Sequence, residues 1–236
     1  MAPKQSLRRR VGTVLRWPLG MALTSWRYLW RTTPLHRIEE VGSAQDMEPA
    51  LAAAVVDEGL QRLRDGTGPL FHRRYAVVVE RPTMSARELI DFVAGDPNRP
   101  APSEVAVFWK TNGREGALRA GDEYVVRMPG PWDGPVRVVD RSPTSFRLAT
   151  MQGHLEAGQI EFRARDEDGV LAFEIESWTT SGDRLSRLLY TRMRLMKEMQ
   201  LHMWTHYCER VGKIAGGRLA GGVHITTKRL DRPLPE

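Results

Sequence analysis

The spacing of apolar and polar positions changes along the chain, and the changes mark out its elements. Phe71 to Glu80 (FHRRYAVVVE) is β-branched and aromatic and predicts a strand, stopped by Arg81-Pro82. Thr83 or Ser85 can cap a following helix, with Glu88 in its first turn, Leu89, Ile90 and Val93 on one side, and an end near Gly95. Asp96 to Pro102 holds three prolines and predicts a loop. Glu104 to Lys110 (EVAVFWK) reads as a strand or a short helix. From Gly121 the chain meanders through GDEYVVRM, PVRVVD, SFRLATM, AGQIEFRAR and VLAFEIESW. Turn chemistry closes these runs at Pro129-Gly130-Pro131, Ser142-Pro143, Gln152-Gly153 and Asp166 to Gly169, which predicts an antiparallel sheet. In the last run Leu171, Phe173, Ile175 and Ser177 share one face, and Ala172, Glu174, Glu176 and Trp178 share the other.

Asp183 to Ala215 follows a helical period, with no proline and no glycine before Gly212. Ser181 or Asp183 can cap its start, and Gly216-Gly217 closes it. At about 100° per residue, Leu185, Leu189, Met203, Tyr207 and Ile214 fall within roughly 20° of Met196, forming one apolar stripe. A helix of this length spans about 50 Å, enough to cross a sheet. The glycines of GGRLAGG, Gly216 to Gly222, follow a helix rather than a strand and lack a Gly-Lys-Ser/Thr, so they read as a helix stop and a flexible tail, not a phosphate loop.

Strand, helix, antiparallel meander and long amphipathic helix, in that order, make the helix-grip layout. This is an α+β fold whose curved antiparallel sheet wraps the last helix and can leave a ligand cavity beneath it. On Gly121-Asp122, MPGPWDGPVRV from Met128, TMQGHLEAGQIEF from Thr150, FEIESW from Phe173 and the long helix, Phe71 to about Gly217 resembles the START and birch-pollen-allergen-like (SRPBCC) superfamily. It is most similar to an uncharacterised branch shared by bacteria and plants, and SWRYLWRTTPLHR resembles a segment that accompanies bacterial members. The resemblance implies a fold and a pocket with an apolar ligand, not a reaction. It makes Met128, Trp132, Met193, Met196, Met199, Met203 and Tyr207 the expected ligand contacts, since flexible thioethers adapt to irregular shapes. Plain core packing is the other reading of any one of these methionines.

Charge divides the chain further. Of the net +6 over 236 residues, Met1 to Ile38 carries +8 without an acidic residue, Glu39 to Thr67 carries −5, and the remainder carries +3. The organisation expected is a basic arm over 1–38, an acidic linker over 39–67 with a short helix near Pro49 to Val56, a helix-grip domain over 68–217 and a tail over 218–236. The arm sets Trp17, Trp26 and Trp30 beside Arg16, Arg27 and Arg31. Tryptophan favours the headgroup zone and arginine favours anionic lipid, so the arm suits an anionic membrane surface as an interfacial anchor, or packs on the domain. Its longest apolar run is too short to span, and Arg16 and Trp26 to Trp30 break the pattern of a signal peptide. No nucleic-acid partner is expected, because the surplus charge does not belong to the main domain. A cytoplasmic protein, peripheral to the inner face of the membrane through its arm, is the expectation. One cysteine excludes an intrachain disulfide framework.

Four groups of residues can carry chemistry. His154 and Glu156, two apart beside a turn, offer a general acid–base couple, or a strand-end hydrogen bond. Glu174 and Glu176 share a face with Trp178 and read as the solvated side of a half-exposed strand. His202 and His206 have i, i+4 metal spacing without a completing ligand. Cys208 has no convincing activating partner. Neither cofactor nor metal is implied. The reading is a binder of a hydrophobic small molecule or lipid. The alternative is a cyclase- or hydrolase-type enzyme using the His/Glu residues in the same cavity, or an interaction module with a closed pocket.

Overall fold

The computed structural model describes residues 34–103, 106–127, 133–182 and 190–231, with side chains from residue 200 onward in the last stretch. The order is β1 (Leu35–Val41), β2 (Thr67–Glu80), α1 (Ala86–Gly95), β3 (Val107–Asn112), β4 (Glu123–Arg127), β5 (Asp133–Ser142), β6 (Ser145–Thr150), β7 (Glu156–Glu167), β8 (Val170–Ser181), α2 (Tyr190–Ile214) and β9 (Arg218–Leu230). Among the described residues the strands make one nine-stranded sheet, ordered β1-β9-β2-β8-β7-β6-β5-β4-β3. All neighbours are antiparallel except β1 and β9. The long helix α2 lies against β2, β8 and β9, and α1 lies against β6, β7 and β8. This is the helix-grip fold, as the residue pattern predicts.

Local chemistry sets the boundaries. Ser85 caps α1 through a capping box: its hydroxyl accepts from Glu88 N–H, and the Glu88 carboxylate accepts from Ser85 N–H at 2.8 Å. Thr83, the other candidate cap, serves the opposite helix. Its N–H and hydroxyl both donate to the Ala215 carbonyl, satisfying the last turn of α2. Asp168 and Gly169 both have positive φ, 43° and 83°, which is the two-residue turn that matches strand twist between β7 and β8.

The core lies between the concave face of the sheet and the two helices. Tyr75, Val77, Val79, Phe162, Leu171, Phe173 and Ile175 face Leu89, Ile90 and Val93 of α1 and Trp204, Tyr207, Cys208 and Val211 of α2. Each fully buried large side chain contributes about 1.5–3 kcal/mol.

Two expectations are corrected. The segment from Arg218, read as a flexible tail, is β9, a strand between β1 and β2. Its glycines mislead because Gly221 and Gly222 sit where the β2–β9 register shifts, a bulge inside a strand rather than a stop. A side chain at Gly222 would strike the Pro34 carbonyl. The residues read as arm end and linker also join the fold. Leu35–Val41 pairs with β9, and the acidic segment after it packs on the convex face. There Leu63 joins Leu70, Trp178 and Leu230, while Leu60 joins Val139 and Ala149. The short helix expected near Pro49 to Val56 is a single 3-10 turn, Ala53–Val55.

Candidate ligand-binding site

The inward rows of β2 and β8 begin apolar and turn polar towards one end. On β2 the row runs Val79, Val77, Tyr75, Arg73, and on β8 it runs Leu171, Phe173, Ile175, Ser177, Thr179. Where the polar ends meet α2, a cavity of about 70 Å³ opens between sheet and helix. Its apolar wall is Phe108, Val126, Val136, Leu148, Ile160, Met203 and Trp204. Its polar groups are Arg73, Thr150, His154, Glu156, Gln159, Ser177, Thr179 and Gln200.

Arg73 is 9% exposed. Its guanidinium has Thr179 Oγ1 at 3.5 Å, the outer limit of hydrogen bonding, and lies 4.8 Å from the centre of the Phe71 ring. Beside it, burial pushes the Tyr75 hydroxyl up to about 12. The Glu156 carboxylate accepts from Gln200 Nε2 at 2.6 Å, tying β7 to α2.

His154 and Glu156 both line the cavity, but their side chains do not form a couple. His154 Nδ1 lies 2.9 Å from both the backbone N–H and the backbone carbonyl of Glu156, the strand-end contact. The ring packs against Gly134, and burial holds its pKa below the ordinary histidine value. The carboxylate of Glu156 is not the group it meets.

Of the other expected contacts, Met203 lines the cavity. Tyr207 lies in the core, packed with Phe162, Phe173 and Trp204, not on the cavity wall. Met128 and Trp132 lie outside the described residues, as do the side chains of Met193, Met196 and Met199. Arg16, Trp17, Trp26, Arg27, Trp30 and Arg31 also lie outside them. His202 and His206 stack with ring centres 6.1 Å apart, and among the described residues no cluster of three metal-ligating side chains exists. Cys208 is buried in the core.

Glu174 and Glu176 face away from the cavity, as read, but they are not solvated. Glu174 is 3% exposed and pairs with Arg74, Arg163 and Arg165. Glu176 accepts from Arg163 and lies 2.7 Å from His72 Nε2. Burial pushes the Glu176 carboxyl up, but hydrogen bonds from His72 and Arg163 and their charge outweigh it and leave it lowered. The acidic segment joins the network at one edge, where it brings Asp46 to His72 and Lys228.

The residue that sequence reasoning missed is Arg73. The available signal was its place in the row of Tyr75, Val77 and Val79, a lone charge in the register of the core.

The topology and the cavity define a helix-grip protein. A family model described as "Domain of unknown function (DUF1990)" matches residues 38–210, and the chain belongs to that family. The resemblance to an uncharacterised branch of helix-grip proteins is thereby borne out. No curated protein matches the chain. Solved structures with a similar fold include a hypothetical protein from Helicobacter pylori, at TM-score 0.45 and 6% identity, over 60% of this chain and 86% of that one. Protein Ms6760 from Mycobacterium smegmatis gives TM-score 0.40 at 12% identity, over 61% and 90%. A major latex-like protein from Panax ginseng gives 0.34 at 12%, over 56% and 98%. Among the described residues no helix is long and apolar enough to cross a membrane.

Proposed function

We propose that this protein binds a hydrophobic small molecule or lipid between the concave face of its sheet and α2. The observation that supports this is the cavity itself, with an apolar wall of Phe108, Val126, Leu148, Met203 and Trp204 and a polar end at Arg73 and Thr179. Apolar walls with a few convergent polar groups are what small-molecule sites share. Met203 belongs to the wall, and Met193, Met196 and Met199 precede it on the same helix. Native mass spectrometry of the protein purified from its natural host tests the reading. A co-purifying apolar compound lost on substitution of Met203 or Trp204 supports it. Protein that is always free of ligand, and that takes up none from a lipid extract of the host, overturns it.

The arm is the second part of the proposal. Trp17, Trp26 and Trp30, with Arg16, Arg27 and Arg31, hold the protein at an anionic membrane surface on the cytoplasmic side. Flotation of the full chain with phosphatidylserine vesicles is expected to fall at least about tenfold when the three tryptophans are replaced by alanine. Equal flotation removes the membrane claim and leaves the cavity untouched.

A further inference from the structure

Arg73 is the anomaly of the inner face. Three other arginines of this sheet meet carboxylates: Arg137 meets Asp57 and Glu123 at 2.7 and 2.8 Å, Arg141 meets Asp91 at 2.6 Å, and Arg163 meets Glu174 and Glu176 at 2.8 and 2.6 Å. Arg73 is more buried than these and, among the described residues, pairs with no carboxylate. Its contacts are the long approach to Thr179 and the face of Phe71. The cavity's own carboxylate, Glu156, is engaged by Gln200 instead.

A guanidinium cannot shed its proton to escape this position. Taking an unpaired charge out of water costs several kcal/mol, so an isolated buried arginine is a feature that stability alone disfavours. Its five N–H donors match the two oxygens of a carboxylate, and a low-dielectric surrounding strengthens that pairing. Ser177, opposite Arg73 on β8, and Thr179, opposite Phe71 and one step nearer the strand end, add hydroxyls at the same end of the cavity. Across the cavity the wall at Phe108, Val126, Val136 and Leu148 is apolar.

We infer that the ligand of this cavity is an amphiphilic organic acid, whose carboxylate is bound by Arg73 with Thr179 and whose apolar body lies along Phe108, Leu148 and Trp204. The inference rests on the binding reading above and adds the chemistry of the head. It sets the polarity of the ligand: acid towards β2 and β8, hydrocarbon towards β3 to β6.

Isothermal titration of the full chain with octanoate and octanamide tests it, because the two share a body and differ in the head. Wild type is expected to bind octanoate at least about tenfold more tightly than octanamide at neutral pH. In Arg73→Gln the preference is expected to fall to about twofold or less. Arg73→Lys keeps the charge but not the fork, and is expected to retain an intermediate preference. It also decides the question if Arg73→Gln fails to fold. Equal binding of the two probes by wild type, or an undiminished preference in either variant, overturns the acid head while leaving the cavity reading in place. If neither probe binds, and the host extract supplies no ligand, the binding reading itself falls. Titration with octyl phosphate separates a carboxylate from a phosphate head: tighter binding of the phosphate overturns the carboxylate assignment.

Discussion

Asp46 accepts a hydrogen bond from Lys228 Nζ at 2.8 Å, joining the acidic segment after β1 to the last strand of the sheet. The same carboxylate accepts from Ser43 and faces His72 Nδ1. The hydrogen bond from Lys228 is the main reason its carboxyl is held well below 3.8; burial opposes the shift, and Ser43 and His72 add to it. A carboxyl lowered in the folded state adds stability that is complete above its unfolded value of 3.8 and is lost as pH falls through the folded value. Asp46→Asn is expected to lower the thermal midpoint by roughly 2–4 °C at neutral pH. The gap between variant and wild type should close in acid. A gap that does not narrow below pH 3.8 would contradict this assignment.

Glu174 is the shared acceptor of the convex face. It is nearly inaccessible, yet its arginine partners Arg74 and Arg165 are each about half exposed, with side chains at 46% and 47%. Glu174→Gln removes the buried charge while letting those partners turn to water. The expected loss is about 1–3 kcal/mol in urea unfolding, less than for a fully buried pair. No loss would mean that the network only decorates the surface.

The face carrying Glu174 and Glu176 was legible in the sequence, since the alternation with Leu171, Phe173 and Ile175 assigns it to the outside. Its burial was not. Glu174 is held by Arg74, Arg163 and Arg165 and Glu176 by Arg163 and by His72, which Asp46 of the acidic segment faces; none of those contacts leaves a local periodicity. Arg73 was hidden for a different reason. Arg73 and Arg74 are adjacent, so one of them must face inward. The run Val77-Val78-Val79 is apolar on both faces, so only Tyr75, larger than Ala76 on the other row, marks the row of Arg73 as the inner one. The helix-grip order itself was readable, because it depends on turn residues and on the long stripe of α2. The strand β9 was lost to the pair Gly221-Gly222.

His154 gives a second, separable pH effect. Burial lowers its folded pKa below 6.5, so the unfolded chain takes up the proton first as pH falls. Its contribution is complete above pH 6.5 and declines below that value until the folded ring also titrates. Comparing wild type with His154→Gln by urea unfolding at several values between about pH 8 and pH 5.5 should show the difference shrinking on acidification. A constant difference would show that the ring does not resist protonation.

Tyr207 is fully buried, and its hydroxyl has no hydrogen-bond partner among the described residues. Burial raises its pKa well above 10.0, so the group stays neutral and the cost is that of an unsatisfied donor. Tyr207→Phe keeps the ring contacts with Phe162, Phe173 and Trp204 and removes that cost. Stability is expected to rise by up to about 1 kcal/mol. A loss of 1 kcal/mol or more would reveal a partner for the hydroxyl.

The place of β2 in the sheet governs how the chain must fold. Both of its neighbours, β8 and β9, come from the far end of the sequence, with Ala76 opposite Glu174 on one side and His224 on the other. Nothing made before them can satisfy the backbone of β2. During synthesis this strand must therefore wait for β8, and its other edge stays open until β9 is made through Leu230. Pairings this distant make assembly slow, because the loop entropy is lost before the contacts are gained. The waiting strand FHRRYAVVVE is the segment most open to pairing with the wrong chain.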